Sequence, residues 1–317
     1  LLAQDGHWFG GQAATADLRW GAKKVPESRL AWTLGYEDLS IASGAVRVGG
    51  DVRPDTIRID LPPVRVRTSA RFRYRLLRAN AAKSIAEGEA SVVLYPKDLL
   101  GGLSQRTGNR SIVAWDTGKD LSTVLTAGGI RHNLIQRESE LRLASADIVL
   151  VATGEIRDKP FSQSRLTSYA ERGSNVLILE QRDVKALAGI PLTTVPAKAT
   201  IVWSKPHPLL THLRRYVAPK DVMTFRALRI SSISAINGEL LSLARFDRRG
   251  ESDVSQAALA GVVPTGKGQI VFCQLPLPPF GSDPRSQLFL SDVISYFCAE
   301  RERTSLERER ISVPVSP

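Results

Sequence analysis

Apolar and polar residues alternate along most of four segments in the first third of the chain. These segments cover residues 29–36, 56–61, 64–77 and 90–95. A period of two predicts β-strands that bury one face and expose the other. Pro62-Pro63 lies between two of the segments and fits a strand entry or a sheet edge, because proline cannot donate to a ladder. The pattern predicts a small β-sandwich over residues 28–97.

The pattern of apolar and polar residues changes at residue 98. Continuous apolar runs within 111–115, 148–152 and 175–179 alternate with amphipathic segments at 119–126 and 162–172. Parallel strands that are covered on both faces need such continuous runs, and the alternation of strand with helix is typical of βαβ units. The pattern predicts a flavodoxin-like three-layer αβα domain over residues 98–302, with a further strand at 133–136.

The later part of this region is predicted to be richer in strands, at residues 200–203, 225–233, 239–246 and 269–275. Gly266-Lys267-Gly268 reads as the tight turn that enters the last of them. Ser282-Asp283-Pro284 carries the cap and first-turn proline of a final helix, which is expected to fray at Pro314.

The two ends of the chain carry weaker signals. Residues 1–27 lack sustained periodicity and are predicted to be an irregular lead-in or linker, and residues 303–317 are predicted to be a tail. The predicted fold class is therefore multidomain, β followed by α/β. The chain begins at Leu1 without Met, so we expect a fragment or a processed product with a further domain upstream.

Composition and charge restrict the partners and cofactors that the chain is expected to bind. The formal net charge is +11 and the pI is about 9.9, but Lys and Arg are interleaved with Asp and Glu, so nucleic acid is disfavoured as a partner. Cys273 and Cys298 lie in apolar surroundings and are expected to be buried thiols. The four His residues show no metal-ligand spacing, and we expect no metal and no cofactor. No apolar run reaches the roughly 20 residues of a membrane span.

Four polar residues fall at the predicted carboxyl ends of parallel strands: Asp116, Glu155, Glu180 and Gln181. In open α/β sheets this edge forms the ligand crevice, and paired carboxylates there can serve acid–base chemistry. Alternatively, such residues cap strand ends and start helices. His207 is a candidate general base or, alternatively, the cap of a short helix.

The segments ADIVLVATGE, YAERGSNVLILEQ, KPHPLL and GKGQIVFCQLPL resemble a class I glutamine-amidotransferase-like domain. Such a domain occurs as the trimerisation domain of family 42 β-galactosidases. The strands that end at Leu94-Tyr95-Pro96 resemble the immunoglobulin-like sandwich of glycoside hydrolase family 2 enzymes. The resemblance implies a C-terminal accessory region of a β-galactosidase-like enzyme.

The catalytic residues of these families are not evident in the chain. Where an amidotransferase has its nucleophilic Cys, this sequence has Glu180-Gln181, and no Glu lies two residues beyond His207. Family 2 and 42 glycosidases carry their catalytic glutamates in a (β/α)₈ barrel, and no eightfold repeat fits these residues. No residue of the chain is therefore assigned a catalytic role.

The resulting hypothesis is an accessory, non-catalytic region that serves assembly and shapes the active-site cleft of its parent enzyme. Its expected partners are an upstream catalytic barrel, further copies of the chain and a carbohydrate, with no membrane. Two alternatives stay open: a self-contained hydrolase that uses the strand-end carboxylates, and a basic module that binds an anionic polymer. Compartment is left open.

Overall fold

The chain divides into two compact units, Leu1–Leu99 with Ser282–Pro284, and Leu100–Gly281 with Arg285–Pro317. The computed structural model describes residues 2–3, 6–21, 24–37, 39–50, 52–78, 84–142, 145–156, 160–196, 198–203, 206–213, 224–235, 237–247 and 254–312.

The first unit is built from strands. In chain order they are β1 (Leu2–Ala3), β2 (Gly6–Phe9), β3 (Ala13–Arg19), β4 (Val25–Tyr36), β5 (Leu39–Gly50), β6 (Thr56–Asp60), β7 (Thr68–Arg78) and β8 (Ser84–Tyr95).

These strands form a three-stranded sheet, β1-β3-β6, and a five-stranded sheet, β2-β8-β7-β4-β5. Both sheets contribute to one apolar core, in which Ala16 and Ile59 of the smaller sheet join Leu30, Phe72 and Leu94 of the larger one. Alternate residues along β7 are buried and exposed, as the period-two pattern predicts. The unit is therefore a two-layer β structure closed around a shared core.

The expectation of an irregular lead-in over residues 1–27 is wrong. Strand β3 pairs with β6, and β2 pairs in parallel with β8. The inward residues of β3 include Ala14 and Ala16, which are buried. Alanine side chains are small and contrast little with their polar neighbours. The alternation of apolar and polar residues that predicts a strand is therefore weak along β3.

Strand β5 is also absent from the expected elements. Its twelve residues are mostly Gly, Ala, Ser and Val, so apolar and polar positions contrast little. It nevertheless pairs along most of its length with β4. The expected strand at 64–77 begins instead at Thr68.

The second unit mixes helices and strands. In chain order they are α1 (Leu103–Thr107), β9 (Ile112–Trp115), α2 (Asp120–Ala127), β10 (Asn133–Ile135), β11 (Ile148–Val151), α3 (Pro160–Glu171), β12 (Asn175–Ile178), β13 (Ala186–Leu187), β14 (Ile190–Pro196), β15 (Thr200–Trp203), β16 (Thr224–Leu228), α4 (Ile230–Ala235), β17 (Glu239–Asp247), β18 (Val254–Thr265), β19 (Gly268–Cys273) and α5 (Pro284–Ser312).

Five strands of this unit pair in parallel in the order β10-β9-β11-β12-β19. Ile112 and Leu150 face a core that includes Leu125 of α2 and Val293 of α5. The alternate residues of the same strands face a second core that includes α3. Because both faces of these strands are covered by apolar cores, their sequences contain continuous apolar runs.

An antiparallel extension continues the same sheet through β18, β16, β14 and β13, with β17 and β15 branching from β18. The expected strand at 225–233 is only partly correct, because β16 ends at Leu228 and α4 begins at Ile230. A run of β-branched residues such as Ile230 and Ile233 favours strand locally, but here Ile233 is buried in the second core as part of a helical turn.

The turn Gly266-Lys267 joins β18 to β19, as expected, with Thr265 paired to Gly268. It lies against the end of α3, where the Lys267 N–H donates to the Glu171 carbonyl oxygen at 3.2 Å. The final helix begins at Pro284 and continues to Ser312, and the expected fraying at Pro314 lies outside the described residues.

Candidate functional site

The carboxyl edge of the parallel strands carries the four predicted polar residues, which we call the strand-end cluster: Asp116, Glu155, Glu180 and Gln181. Asp116 follows β9, Glu155 follows β11 after three residues, and Glu180-Gln181 follow β12. Parallel pairing aligns the ends of these strands. The structure therefore brings the four residues to one edge, as expected.

Asp116 is buried and serves the start of α2. Its carboxylate accepts a hydrogen bond from the Ser122 N–H at 2.8 Å. The first N–H groups of a helix have no intrahelical partner, and a carboxylate there is favoured both as an acceptor and by the helix dipole. Asp116 is thus engaged in helix capping.

Glu155 closes the neighbouring loop. Its two oxygens accept hydrogen bonds from Thr117, one from the backbone N–H at 2.7 Å and one from the hydroxyl at 2.5 Å. Both contacts join the loop after β11 to the loop after β9. The carboxylate is therefore already bidentate to the protein.

Glu180 is a buried carboxylate held by an arginine. Its side chain is 2% exposed, whereas that of Arg182 is 58% exposed. Arg182 Nε and Nη2 donate to the two carboxylate oxygens at 3.0 and 2.9 Å. A bidentate guanidinium contact is among the stronger ion-pair geometries, and it covers the atoms that a nucleophile or base would use.

Gln181 is fully buried, and its side chain joins the loop after β11 to the loop after β12. Its Nε2 donates to the Ala152 and Leu179 carbonyl oxygens at 2.8 and 2.9 Å, and its Oε1 accepts from the Ile156 N–H at 2.8 Å. An amide offers about four hydrogen-bonding positions, so three of them are used within the fold.

Gln274 is a member of this edge that sequence reasoning missed. It is fully buried directly after β19, accepts from the Gln181 N–H at 3.0 Å and lies with Nε2 3.3 Å from the Leu179 carbonyl oxygen. The signal was available, since Gln274 is the single polar residue in the run Val271-Phe272-Cys273-Gln274-Leu275.

Asp120 was also missed. Its carboxylate accepts from the Phe280 N–H at 2.8 Å and the Gly281 N–H at 3.3 Å. It thereby fixes the loop between β19 and α5 to the first turn of α2. No motif marks it, because the donors lie about 160 residues away along the chain.

His207 does not lie with the strand-end cluster. It caps the short 3-10 helix Pro208–Leu210, where its Nδ1 accepts from the Leu209 N–H at 3.2 Å. Its ring lies 5.4 Å from that of Tyr296, whose hydroxyl is 3.5 Å from Gln269 near the amino end of β19. His207 therefore lies toward the opposite edge of the sheet.

The capping hydrogen bond also determines which ring nitrogen of His207 carries the proton. Because Nδ1 accepts a hydrogen bond from the Leu209 N–H, the neutral ring carries its proton on Nε2. That nitrogen lies 4.0 Å from Glu239 Oε2. In this state the ring has no lone pair available as a general base, so the capping alternative fits the structure.

A serine–histidine contact was not anticipated. Ser122 Oγ lies 2.8 Å from His132 Nε2, and His132 Nδ1 lies 2.9 Å from the Ile130 carbonyl oxygen. A carbonyl only accepts, so Nδ1 carries the proton and Nε2 accepts from the Ser122 hydroxyl. Ser122 is buried, and the pair fastens α2 to the segment that enters β10.

Cys273 is the thiol nearest to this edge, at the end of β19. Burial raises its pKa to about 12; the Leu275 backbone hydrogen bond opposes that rise, and the negative charge of Glu180 adds to it. A thiol is nucleophilic as the thiolate, so Cys273 is inert at neutral pH.

Neither a metal-binding cluster nor a membrane-spanning helix is found in the part of the chain that the structure describes. No cluster of three or more His, Cys, Asp or Glu side chains there has the arrangement of a metal site. Among the same residues, no helix combines the length and apolarity that crossing a membrane requires.

No protein-family model and no curated protein matches the chain. Similar solved structures include a β-galactosidase from Rahnella sp. R3, at 12% identity over 62% of this chain and 31% of that chain, with a TM-score of 0.34. An exo-β-1,4-mannosidase from an Opitutaceae bacterium has 12% identity over 62% and 36% of the two chains, with a TM-score of 0.29.

A cytoplasmic protein from Salmonella typhimurium LT2 is also similar, at 12% identity over 69% of this chain and 91% of that chain, with a TM-score of 0.32. The chain spans about a third of the length of the two glycosidases, at 31% and 36%. These weak similarities include domains of glycoside hydrolases but assign neither a family nor an activity.

Proposed function

We propose that the chain is an accessory, non-catalytic region of a larger carbohydrate-active glycoside hydrolase, where it serves assembly and shapes the active-site cleft. In this proposal an immunoglobulin-like sandwich over residues 28–97 precedes a class I amidotransferase-like domain over residues 98–302. The sequence resemblance supplies the class of the parent enzyme. The upstream barrel, further copies of the chain and a carbohydrate are its proposed partners.

One observation supports the absence of a catalytic role above all others. Each side chain of the strand-end cluster is bonded within the fold: Asp116 to a helix start, Glu155 to Thr117, Glu180 to Arg182, and Gln181 to three backbone groups. A general acid or base needs a group within reach of a substrate proton. Here the same groups hold loops together.

Hydrolysis assays test this proposal directly. We expect the purified chain to release no aryl leaving group from nitrophenyl β-galactosides, at any substrate concentration. Glu180→Gln should leave that result unchanged while lowering stability. Turnover by the wild-type chain that disappears in a folded Glu180→Gln variant would establish the hydrolase alternative instead.

The anionic-polymer alternative has a specific surface to test. Arg71, Arg73 and Arg75 line the exposed side of β7, but Glu89 lies 3.0 and 3.7 Å from the first two and Glu87 lies 3.6 Å from the third. The open groove of about 640 Å³ on this face therefore contains both signs of charge. A surface that binds a polyanion needs unneutralised cations.

Heparin chromatography separates the two proposals. We expect weak retention that Arg73→Ala and Arg75→Ala leave unchanged. Strong retention that falls steeply with salt and is lost in these variants would support the polymer-binding function.

A further inference from the structure

In the described part of the first unit, the two sheets have four edge strands, and three of them are protected. Strands β1 and β2 are only two and four residues long. Strand β6 has five residues and carries Arg58 and Asp60, whose charged groups lie 3.6 Å apart. Short length and charge are common means of preventing edge-to-edge pairing.

The fourth edge, β5, lacks this protection. It is twelve residues long, contains no proline and carries a single charge, at Arg47. Strands pair through alternate backbone groups on each side, so about six residues direct their N–H and C=O groups away from β4. Among the described residues, the backbone bonds that close this side join Gly49 to Val52 at 3.0 and 3.2 Å, at the very end of the strand.

We infer that β5 pairs antiparallel with β5 of a second copy of this chain. The inference deepens the assembly role and rests on it. An exposed, long and nearly uncharged edge is a template for another strand, and a twofold axis through β5 uses both exposed edges at once and leaves none open.

The charge pattern of β5 favours the identical strand as the occupant. When Gly44 lies opposite Gly44 of the second copy, Ser43 lies opposite Ala45 and Arg47 lies opposite Ile41, so the two arginines stay apart. Residues 39–46 of each strand are uncharged. Nine residues from each copy pair in this register, over roughly 30 Å.

The whole-chain charge gives the inference a distinctive salt dependence. Two molecules that each carry +11 repel at long range, and salt screens that repulsion. Dimerisation through an uncharged edge is therefore expected to strengthen as salt rises. Binding to a polyanion changes in the opposite direction.

Variants that introduce like charges into β5 test the pairing. Ser43 and Ala45 are both exposed, so Ser43→Lys/Ala45→Lys places like charges opposite each other in the dimer without disturbing the core. Thr33→Lys/Ser69→Lys adds the same charge at exposed positions of the interior strands β4 and β7 and serves as the matched control. Light scattering over a concentration series gives the dimer Kd, and circular dichroism confirms folding.

We expect a wild-type dimer, a control with the same Kd, and at least about a tenfold weaker dimer for the lysine pair, since like charges directly opposite each other destabilise strand pairing. Ser43→Glu/Ala45→Glu should be equally weak alone, and mixing it with the lysine pair should restore a mixed dimer in native mass spectrometry. A dimer that the lysine pair leaves intact would overturn the β5 inference but not the assembly role. A wild-type chain that stays monomeric to about 100 µM would overturn the β5 inference and would remove further copies of the chain from the proposed partners.

Discussion

The backbone N–H of Gln181 donates to Oε1 of Gln274 at 3.0 Å, which joins the ends of two neighbouring parallel strands. The residues lie 93 positions apart along the chain, and both are fully buried. Buried amides that are satisfied on nearly every side rigidify the loops around them. The carboxyl edge of this sheet is therefore a fastened structure.

Gln181→Ala should be strongly destabilising. It leaves the Ala152 and Leu179 carbonyl oxygens and the Ile156 N–H without this partner, and each buried group left unsatisfied costs about 1 kcal/mol or more. We expect a loss of about 3 kcal/mol in the free energy of unfolding, measured with urea. Gln105→Ala, at an exposed position of α1, is the control and should change stability by less than about 0.5 kcal/mol. Equal stabilities for the two variants would contradict the fastening role.

Arg182→Ala should cost more than Glu180→Gln. Removal of the arginine leaves a buried carboxylate without its cation, whereas glutamine removes the charge itself. Because Arg182 is 58% exposed, water can replace part of its interaction, and we expect losses of about 2 and 1 kcal/mol respectively.

The double variant Glu180→Gln/Arg182→Ala measures the coupling between the two side chains. Its loss should be smaller than the sum of the single losses by about 1 kcal/mol. Arg75→Ala removes an exposed ion pair with Glu87 and should cost less than about 0.5 kcal/mol. Strict additivity at Glu180 and Arg182 would show that the contact contributes nothing.

Cys273 should make the protein less stable at alkaline pH. Burial raises the pKa of its thiol from 9.0 to about 12 in the folded state, so the unfolded chain loses this proton first as pH rises. The stabilisation is complete below pH 9 and declines by about 1.4 kcal/mol per pH unit between pH 9 and 12. Cys273→Ala should unfold with a correspondingly shallower alkaline dependence. Parallel curves for the two proteins between pH 9 and 10.5 would refute the assignment.

Gly268→Ala should disrupt the β18–β19 hairpin. A Cβ at this position overlaps the Ser174 carbonyl oxygen and comes within 2.8 Å of the Ala170 carbonyl oxygen. Backbone atoms cannot move aside cheaply, so we expect a loss of about 3 kcal/mol. Gly102→Ala is the control, because nothing lies within 4 Å of its Cβ position. Similar melting temperatures for the two variants would count against close docking of the turn on α3.

The parallel strands were predictable because their physical requirement is simple. Burial on both faces demands an unbroken apolar run, and Ile148–Val151 and the residues of β12 after Asn175 form such runs. Glycine at 129, with a φ of +68°, marks the end of α2 in sequence and in structure. Local signals of this kind need no knowledge of distant partners.

The elements that could not be predicted lack such local signals. Strands β3 and β5 are built from small residues, whose burial depends on a neighbouring sheet and leaves little contrast in the sequence. At the carboxyl edge, the position of Glu180 and Gln181 could be predicted from the strand that precedes them. The pairing of these residues with Arg182 and Gln274 could not be predicted, because hydrogen-bond geometry depends on the folded loops.

The tip of a two-residue hairpin is usually the part of a protein that best accepts added residues. Gly266-Lys267 is different, since the Lys267 N–H bonds to the Glu171 carbonyl oxygen and the Gly266 Cα has no room for a side chain beside Glu171. The hairpin that joins the antiparallel extension to the parallel strands is thus anchored to the end of α3. Lengthening the chain at this turn would break its contact with Glu171, so natural variation in loop length has to be accommodated elsewhere in the unit.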